Sequence, residues 1–150
     1  MRSDRPARSV APVLAAAITA LALAGCTPDD VDLGQVREHL TAGAEEVRES
    51  ADEVGDAVAG ANLDDRTRRL VDDAVTNTRQ AIDDARAAIE GAADNVGPEA
   101  EAALDDAARG LDDARRLVSD AAVETDGAVR AALNGLVAQI DRLLERMRRA

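Results

Sequence analysis

The chain has no aromatic residue and no lysine, and it carries one cysteine and one histidine. Each absence excludes something. Phe, Tyr and Trp bury large areas and usually dominate a core. Here the core must come from Leu, Ile, Val and Ala, and an Ala contributes far less than a Leu, at roughly 0.8 kcal/mol per buried CH₂. No disulfide can form within a chain that has a single cysteine, Cys26. A lone His39, with no second His or Cys beside it, cannot build an ordinary zinc site. It lies next to Leu40 in a helical pattern and reads as a surface or half-buried histidine.

Catalytic equipment is missing by the same inspection. Beyond residue 26 the serines are Ser50 and Ser119, neither in a nucleophile-elbow context. No Gly-rich phosphate loop is present. The run Asp29-Asp30-Val31-Asp32-Leu33-Gly34 fails as a calcium loop, because with Gly34 sixth the third and fifth positions are Val31 and Leu33. Paired carboxylates serve glycosidases, but nothing in this pattern signals a cleft, and no aromatic can stack a sugar. The expectation is a non-enzyme with no cofactor, no catalytic residue and no metal site.

What is present is charge and helix periodicity. The formal charge is -12, and all eighteen basic residues are Arg. An acidic balance argues against nucleic acid, whose phosphates are bound by clustered Lys and Arg. The charge is uneven. Residues 27–65 hold twelve acids and two Arg, a charge of -10. Residues 66–125 carry -6, and residues 126–150 carry +2. The C-terminal Arg142, Arg146, Arg148 and Arg149 suit a negative helix end. They also suit an acidic partner: wall-polymer phosphate, anionic lipid or the acidic first helix of the chain itself.

After Cys26 no strand-like alternation appears, and apolar residues recur at three and four throughout. Helices are expected over residues 28–60, 64–96, 98–124 and 127–149. The first opens on Thr27-Pro28-Asp29-Asp30, a cap, a proline and two acids. The second carries Val71, Val75, Thr78, Ile82, Ala85, Ile89, Ala92 and Val96, a heptad seam. Gly97-Pro98 separates it from the third. The fourth stripe, Val129, Leu133, Leu136, Ile140, Leu143 and Met147, is the most hydrophobic. Thr125-Asp126-Gly127 is a candidate turn; were it helical, the last two segments would fuse into one rod. The expected fold is all-α, an antiparallel bundle of three or four long Ala-rich helices with coiled-coil-like seams. Acids three or four residues before an Arg, as in Asp65/Arg69, Asp83/Arg86, Asp105/Arg109, Asp112/Arg116 and Glu145/Arg149, are expected to pair on solvated helix faces.

The N-terminal segment has its own pattern. Arg2, Arg5 and Arg8 precede an apolar run from Val10 to Ala24, broken only by Pro12 and Thr19. That run is shorter than the roughly 20 residues of a spanning helix and reads as an export signal. It ends in Leu23-Ala24-Gly25-Cys26, which resembles the lipobox of bacterial lipoproteins. The resemblance covers residues 1–26. It implies cleavage of a signal peptide, residues 1–25, and a diacylglycerol thioether on Cys26. Residues 26–150 would then form a single helical domain anchored by lipid on the extracytoplasmic side of the cell membrane, or of an outer membrane. With no Arg-Arg pair, the general secretory route is the expected one.

A short motif recurs: Val71-Asp72-Asp73-Ala74, Ile82-Asp83-Asp84-Ala85, Leu104-Asp105-Asp106-Ala107 and Leu111-Asp112-Asp113-Ala114. The first three fall on an 11-residue spacing, which favours a straight helix path. Such repeats resemble those of exchangeable apolipoproteins and desiccation-type proteins. The plainer reading is a biased Ala/Asp/Arg helix. The leading functional expectation is a membrane-tethered, non-enzymatic spacer, scaffold or protein-binding module, with an envelope protein or a second copy as partner. The alternatives are a lipid-surface helical protein and a stress-protective, conditionally folded chain. Acidic faces without Trp or Phe weigh against the lipid-surface reading.

Overall fold

Three-and-four apolar spacing resolves into four helices: α1 (Leu33–Ala59), α2 (Asp65–Asp94), α3 (Pro98–Val123) and α4 (Gly127–Arg149). The computed structural model describes residues 33–94 and 97–149. The expected helix start at Thr27-Pro28, the signal segment with Cys26, and Val96 at the end of the second stripe lie outside the described residues. No strand occurs among the described residues.

Each turn has a physical cause. After α1, Gly60 and Ala61 close the helix by donating to the Asp56 and Val58 carbonyls. Asp64 then caps α2. Its Oδ1 accepts from the backbone N–H of Arg66 and Thr67, both at 3.0 Å, and its Oδ2 accepts from the Thr67 hydroxyl at 2.7 Å. These bonds satisfy donors that the first helical turn cannot satisfy internally. Pro98 begins α3, where a missing N–H costs nothing.

Residues 124–126 break the helix, so α3 and α4 are separate and the fused rod does not form. Gly127 sits at φ +54, a conformation that disfavours any residue with a Cβ. The break is reinforced from both sides. Thr125, buried, donates to the Ala121 and Ala122 carbonyls, and the Arg130 guanidinium reaches back to the carbonyls of Ala122 and Val123. The last carbonyls of α3 thereby gain donors that a continuing helix would have supplied.

Short turns make sequence neighbours antiparallel. α2 packs on α1 and α3, and α4 packs on α3 and returns to α1, while the diagonal pairs do not meet. The stripes face inward as expected. Val47, Val54, Val71, Ile82, Leu111, Val118, Leu136 and Ile140 are sealed from solvent. Thr78, inside the heptad seam, is also sealed and donates its hydroxyl to the Ala74 carbonyl at 2.8 Å.

The core is lopsided. α1, α2 and α3 contribute ten buried alanines between them, whereas the buried side chains of α4 are one Val, four Leu and one Ile. Small residues draw helices together: a methyl placed on Gly110 of α3 would lie 4.0 Å from the Ala81 methyl of α2. The large side chains of α4 fill what the alanines leave.

The four-residue motif follows from this packing. In every copy both Asp side chains lie toward solvent or at its edge, while the apolar residue and the Ala three later turn inward. Only Leu104 of the third copy is half-buried rather than sealed. The motif is a helix's inward pair with a polar insert.

Ion pairing departs from the local expectation. Asp112/Arg116 and Glu145/Arg149 form. Arg109 instead takes Asp106. Arg86 turns away from Asp83 and reaches Glu45 of α1 at 2.7 Å, while Asp83 meets Arg48. Arg69 pairs with no carboxylate among the described residues, so Asp65/Arg69 does not form. With Arg79/Asp52 at 2.7 Å, three pairs lace α1 to α2. One heptad along α1, from Glu45 to Asp52, matches one heptad back along α2, from Arg86 to Arg79, as an antiparallel register requires.

Candidate functional site

Cys26, the residue singled out by sequence for lipidation, lies outside the described residues.

Cavities are open and superficial. One is a groove of about 480 Å³ at the end of the bundle that holds the α1–α2 and α3–α4 turns. Arg66, Arg69 and Asp73 of α2 form one wall, Asp120 of α3 and the Glu124 that follows the helix the other, with Leu70 and Val123 supplying apolar surface. A second groove adjoins it on the other side of α3, between Ala122 and Val123 and the α4 residues Arg130 and Val137. At the opposite end Val36, Leu40, Ile89 and Leu104 line a small apolar depression of about 100 Å³. Side chains fill the interior between the helices, and no described groove gathers convergent polar groups in an enclosed space.

Titratable groups are dispersed. His39 is exposed, and its Nδ1 lies 2.9 Å from the Gln35 carbonyl one turn back. No group of three His, Cys, Asp or Glu side chains is placed to hold a metal among the described residues. Paired aspartates of the repeated motif stand on the outer surface. Asp64 has its carboxyl held below the ordinary aspartate range, first by the backbone N–H of Thr67 and then by the Thr67 hydroxyl. That perturbation belongs to a helix cap.

The C-terminal arginines divide. Arg146 crosses to α1, its Nη2 lying 2.9 Å from Glu46 Oε2. Arg148 and Arg149 share Glu145 one turn back on their own helix. Arg142 meets no carboxylate among the described residues. Of the partners expected for this cluster, the chain's own first helix is engaged, through one residue. No described helix is long and apolar enough to cross a membrane.

Sequence reasoning did not single out the distal groove. Arg66, Arg69, Asp120 and Glu124 are spread over two helices more than fifty residues apart, and only antiparallel pairing of α2 with α3 brings them together.

Comparison with protein-family models, with curated proteins and with solved structures gives no match.

Proposed function

We propose that this chain is a lipid-anchored, non-enzymatic helical module of the cell envelope, which spaces, scaffolds or binds protein at a membrane surface. The observation that carries the reading is Leu23-Ala24-Gly25-Cys26 placed directly after a basic start and a short apolar run. The bundle is compatible with it. Its apolar faces are spent on one another, its cavities are shallow, and its carboxylates are dispersed over the outer surface. Such a body presents surface and does not enclose a substrate.

Anchoring needs a second attachment besides one acyl chain, because a single chain holds a protein only marginally at a bilayer. A diacylglycerol thioether on Cys26 supplies two acyl chains. The residues between Cys26 and Leu33 would then connect the anchor to α1.

Intact-mass spectrometry of the full chain recovered from bacterial membranes tests the reading. The expected product begins at Cys26 and carries added lipid mass, and Cys26→Ser abolishes both the cleavage and the lipid. Recovery of an uncleaved, unlipidated chain from a host that processes other lipoproteins would sink it. The lipid-surface alternative would require the buried stripes of α1 to α4 to leave the core, and vesicle binding by residues 27–150, which carry neither the apolar run nor Cys26, separates it from anchoring.

A further inference from the structure

Most arginines among the described residues reach a carboxylate. Arg48, Arg79, Arg86, Arg115 and Arg146 each reach a carboxylate on a neighbouring helix. Arg66, Arg68 and Arg69 at the start of α2 do not: none meets a carboxylate among the described residues. In a chain with thirty acids and eighteen Arg, three such arginines in one turn are unexpected. Arg66 and Arg69 face Asp120 and Glu124 across the groove, which Asp73 also lines from the α2 side. At its edge stands Val123, 74% exposed, against 38% for the next large hydrophobic. An exposed valine alone is ordinary. Here it lines a groove whose α2 wall, with two arginines and Asp73, is net basic and whose other wall is acidic.

We propose that this face is a contact between two copies of the chain, each seating its Val123 in the other's groove. A polyanion or polycation is repelled by one of the two walls. The fitting occupant has an apolar centre flanked by both signs in the reverse order, and a second copy has that arrangement. A twofold axis along the groove lays the Arg66/Arg69 wall of each copy on the Asp120/Glu124 wall of the other, an isologous contact. The groove lies between antiparallel helices, so the axis runs parallel to them. Both α1 helices then start at the same end, as two chains tethered near their N-termini to one surface require. Further along the same seam, Asp84 of each copy would approach Asp106 of the other. That repulsion confines contact to the distal end, so the interface is small and the association weak.

The proposal stands without lipidation, and its test uses the full chain with Cys26→Ser, so that failure of anchoring does not touch it. Val123→Cys in that background places the one thiol at the centre of the contact, and Ala131→Cys on exposed α4 surface is the control. On mild oxidation the Val123→Cys chain is expected to give several-fold more disulfide dimer than the control. Arg66→Glu with Arg69→Glu, or Asp120→Arg with Glu124→Arg, should each remove that excess. Mixing the two reversed variants should restore it, because an all-acidic pair of walls then meets a predominantly basic pair. All four positions are exposed; should a reversed pair lose helicity, Arg66→Gln with Arg69→Gln replaces it and should also lower the yield. Equal yields at Val123 and Ala131, yields unmoved by charge reversal, or no restoration on mixing would each overturn the proposal.

Discussion

The Arg146 guanidinium of α4 spans the surface of Gly43 on α1 to reach Glu46, with Nη2 2.9 Å from Oε2. A methyl at position 43 would fall 2.7 Å from Arg146 Nη1 and 3.1 Å from Leu143 Cδ1. Glycine in a helix interior ordinarily costs about 1 kcal/mol relative to Ala. Here its missing side chain makes room for the arginine that ties the last helix to the first.

Gly43→Ala therefore gives less stability than helix propensity alone predicts, because the arginine must move and Leu143 must give way. Removing the obstacle should restore part of that gain: in an Arg146→Ala background, Gly43→Ala becomes more favourable than in the parent. A double-mutant cycle by urea unfolding measures this coupling. Additive effects would mean that Arg146 does not rest on Gly43 in solution. The ion pair is half exposed on both sides, so Arg146→Gln alone should cost at most about 1 kcal/mol.

Gly55 and Gly135 lie inside α1 and α4, and a methyl added to either meets nothing within 4 Å. Gly55→Ala and Gly135→Ala should each stabilise by roughly 0.5–1 kcal/mol. Gly127→Ala should do the reverse, because φ +54 penalises a Cβ. Thermal melts of the three variants check the ordering, and a stabilising Gly127→Ala would mean that α3 and α4 join in another way.

Core loss should be severe where α4 faces alanines. Leu136 is sealed, and the two helices that α4 packs on bury six alanines between them, side chains too short to reach into a vacated space. Leu136→Ala should cost about 2–5 kcal/mol, a large share of the 5–15 kcal/mol typical of a domain. Leu117→Ala, at a position 38% exposed, should cost far less. Comparable losses at the two positions, by urea unfolding, would contradict the lopsided core.

Gln139 Oε1 on α4 is buried and has no hydrogen-bond partner among the described residues. An unsatisfied buried acceptor costs roughly 1–3 kcal/mol, so Gln139→Met should be neutral or stabilising. A clear loss in Tm would show that the amide has a partner in solution.

Acid should act on the α2 cap with a definite sign. The Asp64 carboxyl titrates below its ordinary range when folded, so its stabilising effect is present above the unfolded-state titration. That effect is lost as pH falls through the lowered folded value. Asp64→Asn should therefore lower Tm at neutral pH and differ little from the parent once both carboxyl values are passed. A gap between the two proteins that persists unchanged into strong acid would contradict the cap's charge.

The sequence by itself determined where the helices lie and which side of each is inward. Apolar spacing of three and four is a local property, and Val71 to Ile89 reads as one face whatever packs on it. Gly97-Pro98 likewise separates two helices by backbone chemistry alone. Tertiary structure decided the rest. Sequence neighbours offered Asp83 to Arg86 and Asp105 to Arg109, but side chains on a helix pair with whatever carboxylate stands nearest in space. For Arg86 that is Glu45 on another helix. Whether residues 124–126 bent was open until Arg130 and Thr125 supplied donors to the end of α3. The distal groove exists only because antiparallel packing sets the start of α2 against the end of α3, a long-range relation that no local pattern encodes.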